Sequence, residues 1–451
     1  DELLTKAVRL AQTGDATSLN LPQALAQLGR WSMALPLFVS FLKKNPTHAQ
    51  ALNGAGCCLL GMGDVDKAIV LLSDALKYAP DEAAYASDLG EAFGRTGQDV
   101  LALQCYDIAY KLAPGDLEHV MKCAKTAYDL GELEVTVGYL DAGLGQWPDN
   151  PGLLSNYATT LNALGRIEDA IVQWRKVMDL HPSYSISYSN FASKKRIERI
   201  EDFSHRLDQQ LSRRLSRNDE MHIRIAKVDL HEERREYGAA YENLLIANRL
   251  RLADSAWSIE ETENVFERIK GQFSEPAEIN SRYDAGGVTP IFILGMPRSG
   301  TSLTEAILGR HSDVMPRGEL KYLTLLVNQM DMVGQAFGSD QASRLAEAYM
   351  VRLRQSGSRP FITDKMPDNY RLIGHIATAM PNARIVHVRR DPRACCWSNF
   401  RTYFSTDQLE YSYDTDSLIR YFELYQDLMA FWHERFPGRI IDVDYEALTA
   451  D

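Results

Sequence analysis

Three short stretches late in the chain gather residues suited to moving a charged group. They are Gly295-Met296-Pro297-Arg298-Ser299-Gly300-Thr301-Ser302, Asp364-Lys365-Met366-Pro367-Asp368-Asn369, and Arg389-Arg390-Asp391-Pro392-Arg393 followed by Ser398. The first follows an apolar run, Pro290 to Leu294, and gives way to Leu303, Ala306, Ile307 and Leu308 at helical spacing, which reads as strand, glycine loop, helix. Such a loop offers backbone N–H groups and a helix dipole to an anion. The phosphate loop G-x-x-x-x-G-K-[ST] has its glycines and its final Ser302 here, but Thr301 stands at the lysine position. A triphosphatase needs that lysine on the transferring phosphoryl group and the hydroxyl on magnesium. Without the lysine, Thr301 and Ser302 can act as plain hydrogen-bond donors to an anion beside Ser299 and Gly300 of the loop, while Arg298 supplies the positive charge.

Arg390 and Ser398 are eight residues apart, so an arginine at a strand end and a hydroxyl two helical turns on converge on one phosphate. Glu319, in Arg317-Gly318-Glu319, is a carboxylate able to take the proton of an attacking hydroxyl. Lys365 is one of only two lysines after residue 288, against 16 arginines; a compact ammonium suits an oxygen on which charge develops. Tyr445, in "DVDYEAL", is an aromatic at a strand end, equally a core or a ligand position. Each has a plainer role open to it: Arg390 in a surface ion pair, Glu319 at a helix start, Lys365 on the surface.

Short apolar runs at 360–363, 383–388 and 439–445 join the first strand, with helices at 370–380 and 416–435, which predicts a parallel sheet with crossover helices. Ligands then belong at the carboxyl ends of the strands, where the three stretches fall. The first half is different. Pro46, Pro80, Pro114, Pro148 and Pro182 recur every 34 residues, as do Gly29, Gly63, Gly97, Gly131 and Gly165. Small residues fill a further column at Ala34, Ala68, Ala102 and Ala170, interrupted by Thr136, with a partial one at Ala75 and Ala109.

This 34-residue pattern resembles the tetratricopeptide repeat, in which antiparallel helix pairs stack into a superhelix with a concave binding groove. "AYENLLIAN" from Ala240 looks like a further, degenerate repeat. "PRSGTS", "RGE", "DKMPDN" and "VRRDPRACCWS", in that order, resemble the sulfotransferases that use 3'-phosphoadenosine 5'-phosphosulfate, above all the bacterial tetratricopeptide-repeat sulfotransferases and the tyrosylprotein sulfotransferases. The resemblance implies a multidomain chain: an all-α tetratricopeptide-repeat superhelix followed by an α/β, P-loop-like sulfotransferase domain. It also implies that Arg390 and Ser398 hold the 3'-phosphate, that the glycine loop holds the 5'-phosphosulfate, that Tyr445 lies by the nucleotide, and that Glu319 is the base. Expected boundaries are 1–275 for the repeats, 276–289 for a linker and 290–451 for the enzyme. Family members continue past the position of Asp451, so the enzyme domain is expected to be truncated. Arg401 sits one residue closer to the serine than the matching family arginine and is left out of the site.

The 451 residues carry a formal charge of -12, which argues against a nucleic acid partner. The stretch 1–288 holds 31 Lys+Arg against 41 Asp+Glu, and an acidic groove would suit a basic peptide, although a charged face is more often only a solvated one. No apolar run is long enough to span a bilayer. Cys57, Cys58, Cys105, Cys123, Cys395 and Cys396 form no disulfide framework and no zinc spacing, pointing to a reducing, cytoplasmic setting and no metal. The expected activity is sulfuryl transfer to a hydroxyl, leaving 3'-phosphoadenosine 5'-phosphate, with peptide tyrosine, glycan, lipid and small phenol all open as acceptors. The repeats would serve as acceptor or partner platform. Two alternatives are a phosphate-loop kinase or triphosphatase, and a repeat scaffold with an inactive enzyme domain.

Overall fold

The computed structural model describes residues 19–450 apart from 198, 254, 276–278, 281–282, 284–285, 331, 335, 356, 358 and 405–408. The chain forms two compact units, Asp1–Arg199 and Ile200–Asp451.

In the first unit the repeat columns become helix pairs: Asn20–Gln27 with Trp31–Leu42, Ala49–Met62 with Val65–Tyr78, Ala83–Arg95 with Asp99–Leu112, Leu117–Asp129 with Leu133–Gln146, and Pro151–Ala163 with Ile167–Leu180. Each glycine of the register has φ between +68° and +86°. The residue after it donates 2.9 Å to the carbonyl five positions back in all five pairs, for example Asp64 to Leu59 and Arg166 to Leu161. This closes each first helix with a left-handed residue, where glycine carries no Cβ penalty. Ala34, Ala68, Ala102 and Ala170 are buried, letting the paired helices approach. Thr136 keeps the column because its hydroxyl is satisfied by the Glu132 carbonyl at 3.0 Å. Successive first helices are also tied side chain to side chain, Asn53 Nδ2 to Asp88 Oδ2 at 2.8 Å and Lys122 Nζ to Ser87 Oγ at 2.9 Å.

The second unit starts 76 residues before the expected linker, because helical segments read as repeat belong to it. Helices Arg217–Glu233 and Tyr237–Leu252 pair as one more hairpin, with Ala240 and Ala247 buried. Its left-handed residue is Arg235, φ +61°, and Glu236 donates to the His231 carbonyl at 2.8 Å, the same closure with the marker glycine replaced. Helix Ile259–Gln272 sends Phe266, Ile269 and then Phe273 into the core of the sheet unit, where the Phe273 and Trp432 rings meet at 5.5 Å. Of the expected linker, residues 276–278, 281, 282, 284 and 285 lie outside the described residues.

The sheet is parallel throughout, in order β2-β3-β1-β4-β5, with β1 Thr289–Leu294, β2 Val314–Met315, β3 Phe361–Asp364, β4 Arg384–Arg389 and β5 Ile440–Asp444. Strand β1 is central and buried along its length apart from Thr289. Its neighbours are β3 on one side and β4 on the other, in register Phe292 with Asp364 and Leu294 with His387. Whatever follows β3 and β4 therefore flanks the loop that leaves β1. Helix Pro392–Arg401 after β4 starts sharply: Asp391 accepts from Ala394 N at 2.9 Å and Pro392 occupies the first turn.

Candidate active site

The loop from Gly295 to Gly300 feeds helix Thr301–Leu308, whose first-turn N–H groups have no intrahelical acceptors. Arg298 is left-handed at φ +68°, a conformation that costs a non-glycine residue on the order of 1–3 kcal/mol. Bonds from the β4 side offset that cost: Arg390 Nη1 donates to the Arg298 carbonyl at 2.9 Å and Asn399 Nδ2 to the Pro297 carbonyl at 2.7 Å. Gly300, φ +107°, lies against the Tyr445 ring, and a Cβ there would collide with it.

Four of the expected site residues are joined directly. Arg298 Nε donates to Ser398 Oγ at 3.1 Å, Arg390 reaches the backbone of Arg298, and the Arg390 guanidinium stacks 4.7 Å over the Tyr445 ring. Ser299 Oγ and Arg390 Nε are buried and hold no hydrogen-bond partner. Other buried polar atoms among the described residues also lack a partner, but both Ser299 and Arg390 line the cavity beside the loop, where an anion could supply the acceptor. Ser302 is exposed on the first helical turn, whereas Thr301 is buried.

On the β3 side, Lys365 Nζ lies 2.6 Å from Glu319 Oε1, the lysine buried and the glutamate side chain 54% exposed. The Arg317-Gly318-Glu319 loop is fixed at three backbone points. Gly318 N donates to Glu305 Oε1 at 2.9 Å, Arg317 N to Thr363 Oγ1 at 3.1 Å, and Lys365 N to the Gly318 carbonyl at 2.8 Å. Glu305 also accepts from Thr363 Oγ1, so this nearly buried carboxylate on the loop helix positions the glutamate expected to be the base.

Comparison with known proteins gives a family for each of two stretches of the chain. Residues 290–451 match the sulfotransferase family and residues 25–89 the tetratricopeptide repeat. The second unit carries a sulfotransferase-family domain. A protein of Aquifex aeolicus (strain VF5), itself uncharacterised, is 28% identical over 339 residues, which cover 68% of this chain and 42% of that protein. The chain thus spans less than half the length of this relative. Among solved structures, MamA from residue 41 to its end from Desulfovibrio magneticus RS-1 is 20% identical with TM-score 0.35, covering 38% of this chain and 98% of that solved chain. YrrB, described as a TPR protein with an unusual peptide-binding site, is 21% identical with TM-score 0.35, covering 41% of this chain and 94% of YrrB.

Within the sulfotransferase domain, three arrangements depend on contacts across the fold: the burial of Asp364, the partners of Arg401, which the sequence reading had left out of the site, and a cavity. Asp364, the last residue of β3, is fully buried, accepts from Tyr349 Oη at 2.8 Å, and is pushed by burial up to about 8. It is a structural carboxyl beneath Lys365. Arg401 turns away from the site: Nε meets Glu232 Oε1 at 2.7 Å and Nη2 meets Asp229 Oδ1 at 2.5 Å, tying the Ser398 helix to helix Arg217–Glu233. The third is a cavity of about 370 Å³ lined by Ser299 and Arg390 and also by His387, Tyr425, His433 and Asp442. Burial pushes the His387 imidazole below its usual value, and the bond from His387 does the same to Asp442. No spacing rule links residues 229, 232 and 401, or 387, 433 and 442. A glutamate on the loop helix was visible at position 305, but nothing in the sequence marked it as buried.

Among the described residues no helix is long and apolar enough to cross a membrane, and all six cysteines are free.

Proposed function

We propose that the chain transfers a sulfuryl group from 3'-phosphoadenosine 5'-phosphosulfate to an acceptor hydroxyl. The observation that carries this reading is the pair of clusters flanking one glycine loop: Arg298, Arg390, Ser398 and Tyr445 on the β4 side, Lys365 and Glu319 on the β3 side. The fit to the donor rests on the orphaned Ser299 Oγ and Arg390 Nε, donors placed where an anion would satisfy them.

The donor, when bound, supplies an activated sulfuryl group and a phosphate leaving group. The loop N–H groups, Ser299, Thr301 and Ser302 would hold its 5' end. Arg390 and Ser398 would hold the 3'-phosphate, with Arg390 kept in place by Tyr445. Lys365 would place its ammonium on the bridging oxygen as charge develops. Glu319 would accept the acceptor's proton. None of these roles asks for a metal. The five helix pairs would carry the acceptor or a partner protein, peptide tyrosine being one candidate. A triphosphatase reading has no lysine in the loop to offer.

The test is equilibrium binding of 3'-phosphoadenosine 5'-phosphate against ATP, with transfer of radiolabelled sulfate into protein, glycan and lipid fractions of a host lysate. Preference for the 3'-phosphorylated nucleotide with label in one fraction is the expected result. Preference for ATP with magnesium would overturn the reading.

A further inference from the structure

The cavity beside Arg390 holds a second set of chemically competent groups that the transfer reaction does not use. His387 and Asp442 are register partners on adjacent strands β4 and β5, which sets their side chains next to each other. Tyr425 and His433 are eight residues apart on helix Thr415–Arg435, two turns along one face. The result is a convergence from three elements. His387 Nδ1 lies 2.8 Å and His433 Nε2 3.3 Å from the same oxygen, Asp442 Oδ1. The three potential ligand atoms fall within 4.8 Å of one another.

We propose that His387, His433 and Asp442 form a three-ligand site for a zinc-class divalent cation, with its remaining coordination position open to the cavity. Metal–ligand bonds of about 2.0–2.2 Å in tetrahedral array place ligand atoms roughly 3.4 Å apart, close to the separations from Asp442. Two imidazoles and one carboxylate select zinc, cobalt or nickel over magnesium or calcium, which prefer all-oxygen shells. Arg389 is shared between Asp442 Oδ2 at 3.3 Å and Asp444 Oδ1 at 2.9 Å, so two carboxylates face one guanidinium and Oδ1 of Asp442 stays on the histidine side. The outer shell is also present. Tyr425 Oη bonds His387 Nε2 and, being donor and acceptor, supports the tautomer that frees Nδ1 for the metal. The cation would clip β4 and β5 to the helix that closes the core over them, one wall of the cavity that Arg390 enters. The site stands independently of the sulfuryl-transfer reading, and its set uses none of the cysteines.

The test uses the full chain, stripped with chelator and titrated with Co²⁺. One equivalent should bind with visible d–d absorption and no thiolate charge-transfer band, and Zn²⁺ should displace it. Tyr425→Phe should weaken binding by about 10–100-fold, as loss of an outer-shell partner does, and His433→Ala and Asp442→Asn by more than that. Circular dichroism of each variant guards against simple unfolding, and His433→Ala removes only a partly exposed side chain. Absence of stoichiometric binding, a thiolate band, or unchanged affinity in folded His433→Ala would overturn the proposal.

Discussion

Lys365 and Glu319 form a 2.6 Å ion pair in which the ammonium is buried and the carboxylate faces solvent. In the proposed reaction these groups work at opposite ends of one axis, the carboxylate on the incoming hydroxyl and the ammonium on the departing oxygen. Binding of the donor would draw Lys365 to the phosphosulfate and leave Glu319 unpaired, so that the base becomes available once the donor is in place.

Substitution should separate the two roles. Glu319→Gln keeps shape and removes the base; it should lower kcat by about 100-fold or more while donor affinity stays nearly unchanged, with a smaller loss for more acidic acceptor hydroxyls. Lys365→Ala should lower kcat whatever the acceptor's acidity. A series of substituted phenols run through both variants reads the difference. Near-parental kcat for Glu319→Gln with a weakly acidic acceptor would place the base elsewhere.

Donor affinity tests the other cluster. Arg390 contacts the loop backbone, stacks on Tyr445 and holds an unsatisfied Nε. Arg390→Ala should weaken 3'-phosphoadenosine 5'-phosphate by about 1.5–3 kcal/mol, the range for hydrogen bonds to a charged group. Adenosine 5'-phosphosulfate, without the 3'-phosphate, should bind the parent poorly and lose less on the substitution, which costs it only the Arg390 support of the loop. Calorimetry of the two nucleotides against both proteins decides it.

The repeats were legible because five left-handed positions and a packing column leave fixed marks at fixed spacing, and the sheet was legible because buried parallel strands read as apolar runs. The hairpin at 217–252 was harder, since Arg235 takes the left-handed position that glycine marks elsewhere. The sulfotransferase match begins at the expected residue 290, while the compact unit that holds it begins at Ile200: a helix that caps a sheet and a helix of a repeat have the same amphipathic pattern, and the packing of Phe266 and Phe273 joins their segment to the second unit. Motif residues announced themselves through local order. Their supports, Glu305 under the Glu319 loop and Asp229 with Glu232 on Arg401, depend on contacts across the fold.

Arg401 is predicted to be a positioning residue. Removing it takes the guanidinium from the buried carboxylate of Asp229 and from Glu232 and should cost about 1–3 kcal/mol of stability. Urea unfolding of Arg401→Ala reads that loss. Because Arg401 ends the helix that carries Ser398, nucleotide affinity should also fall, and Arg401→Lys should recover less than half of either effect, since an ammonium cannot span two carboxylates as a fork does.

Truncation tests the boundary. A fragment from Ile200 keeps helix Ile259–Gln272 and should fold and bind the nucleotide. A fragment from residue 275 loses Phe266, Ile269 and Phe273, taking one ring contact each from Tyr370 and Trp432; at about 3–5 kcal/mol per lost aromatic the two together match a domain's usual margin of about 5–15 kcal/mol. Soluble, cooperative unfolding by the shorter fragment would show that the segment 200–274 is dispensable to the sheet.

The pH dependence of stability isolates Asp364. Its folded value, raised by burial to about 8, lies above the ordinary carboxyl range near 4, so between those values the folded state holds a proton that the unfolded chain has released. Stability from this group is complete below about pH 4 and is lost as pH rises toward 8. Asp364→Asn keeps shape and removes the titration, while its amide can still bond Tyr349. The variant should therefore gain on the parent as pH rises, with the difference in Tm between variant and parent larger at pH 8 than at pH 5. Thermal unfolding across that range measures it; a difference independent of pH would mean that Asp364 does not exchange its proton on unfolding.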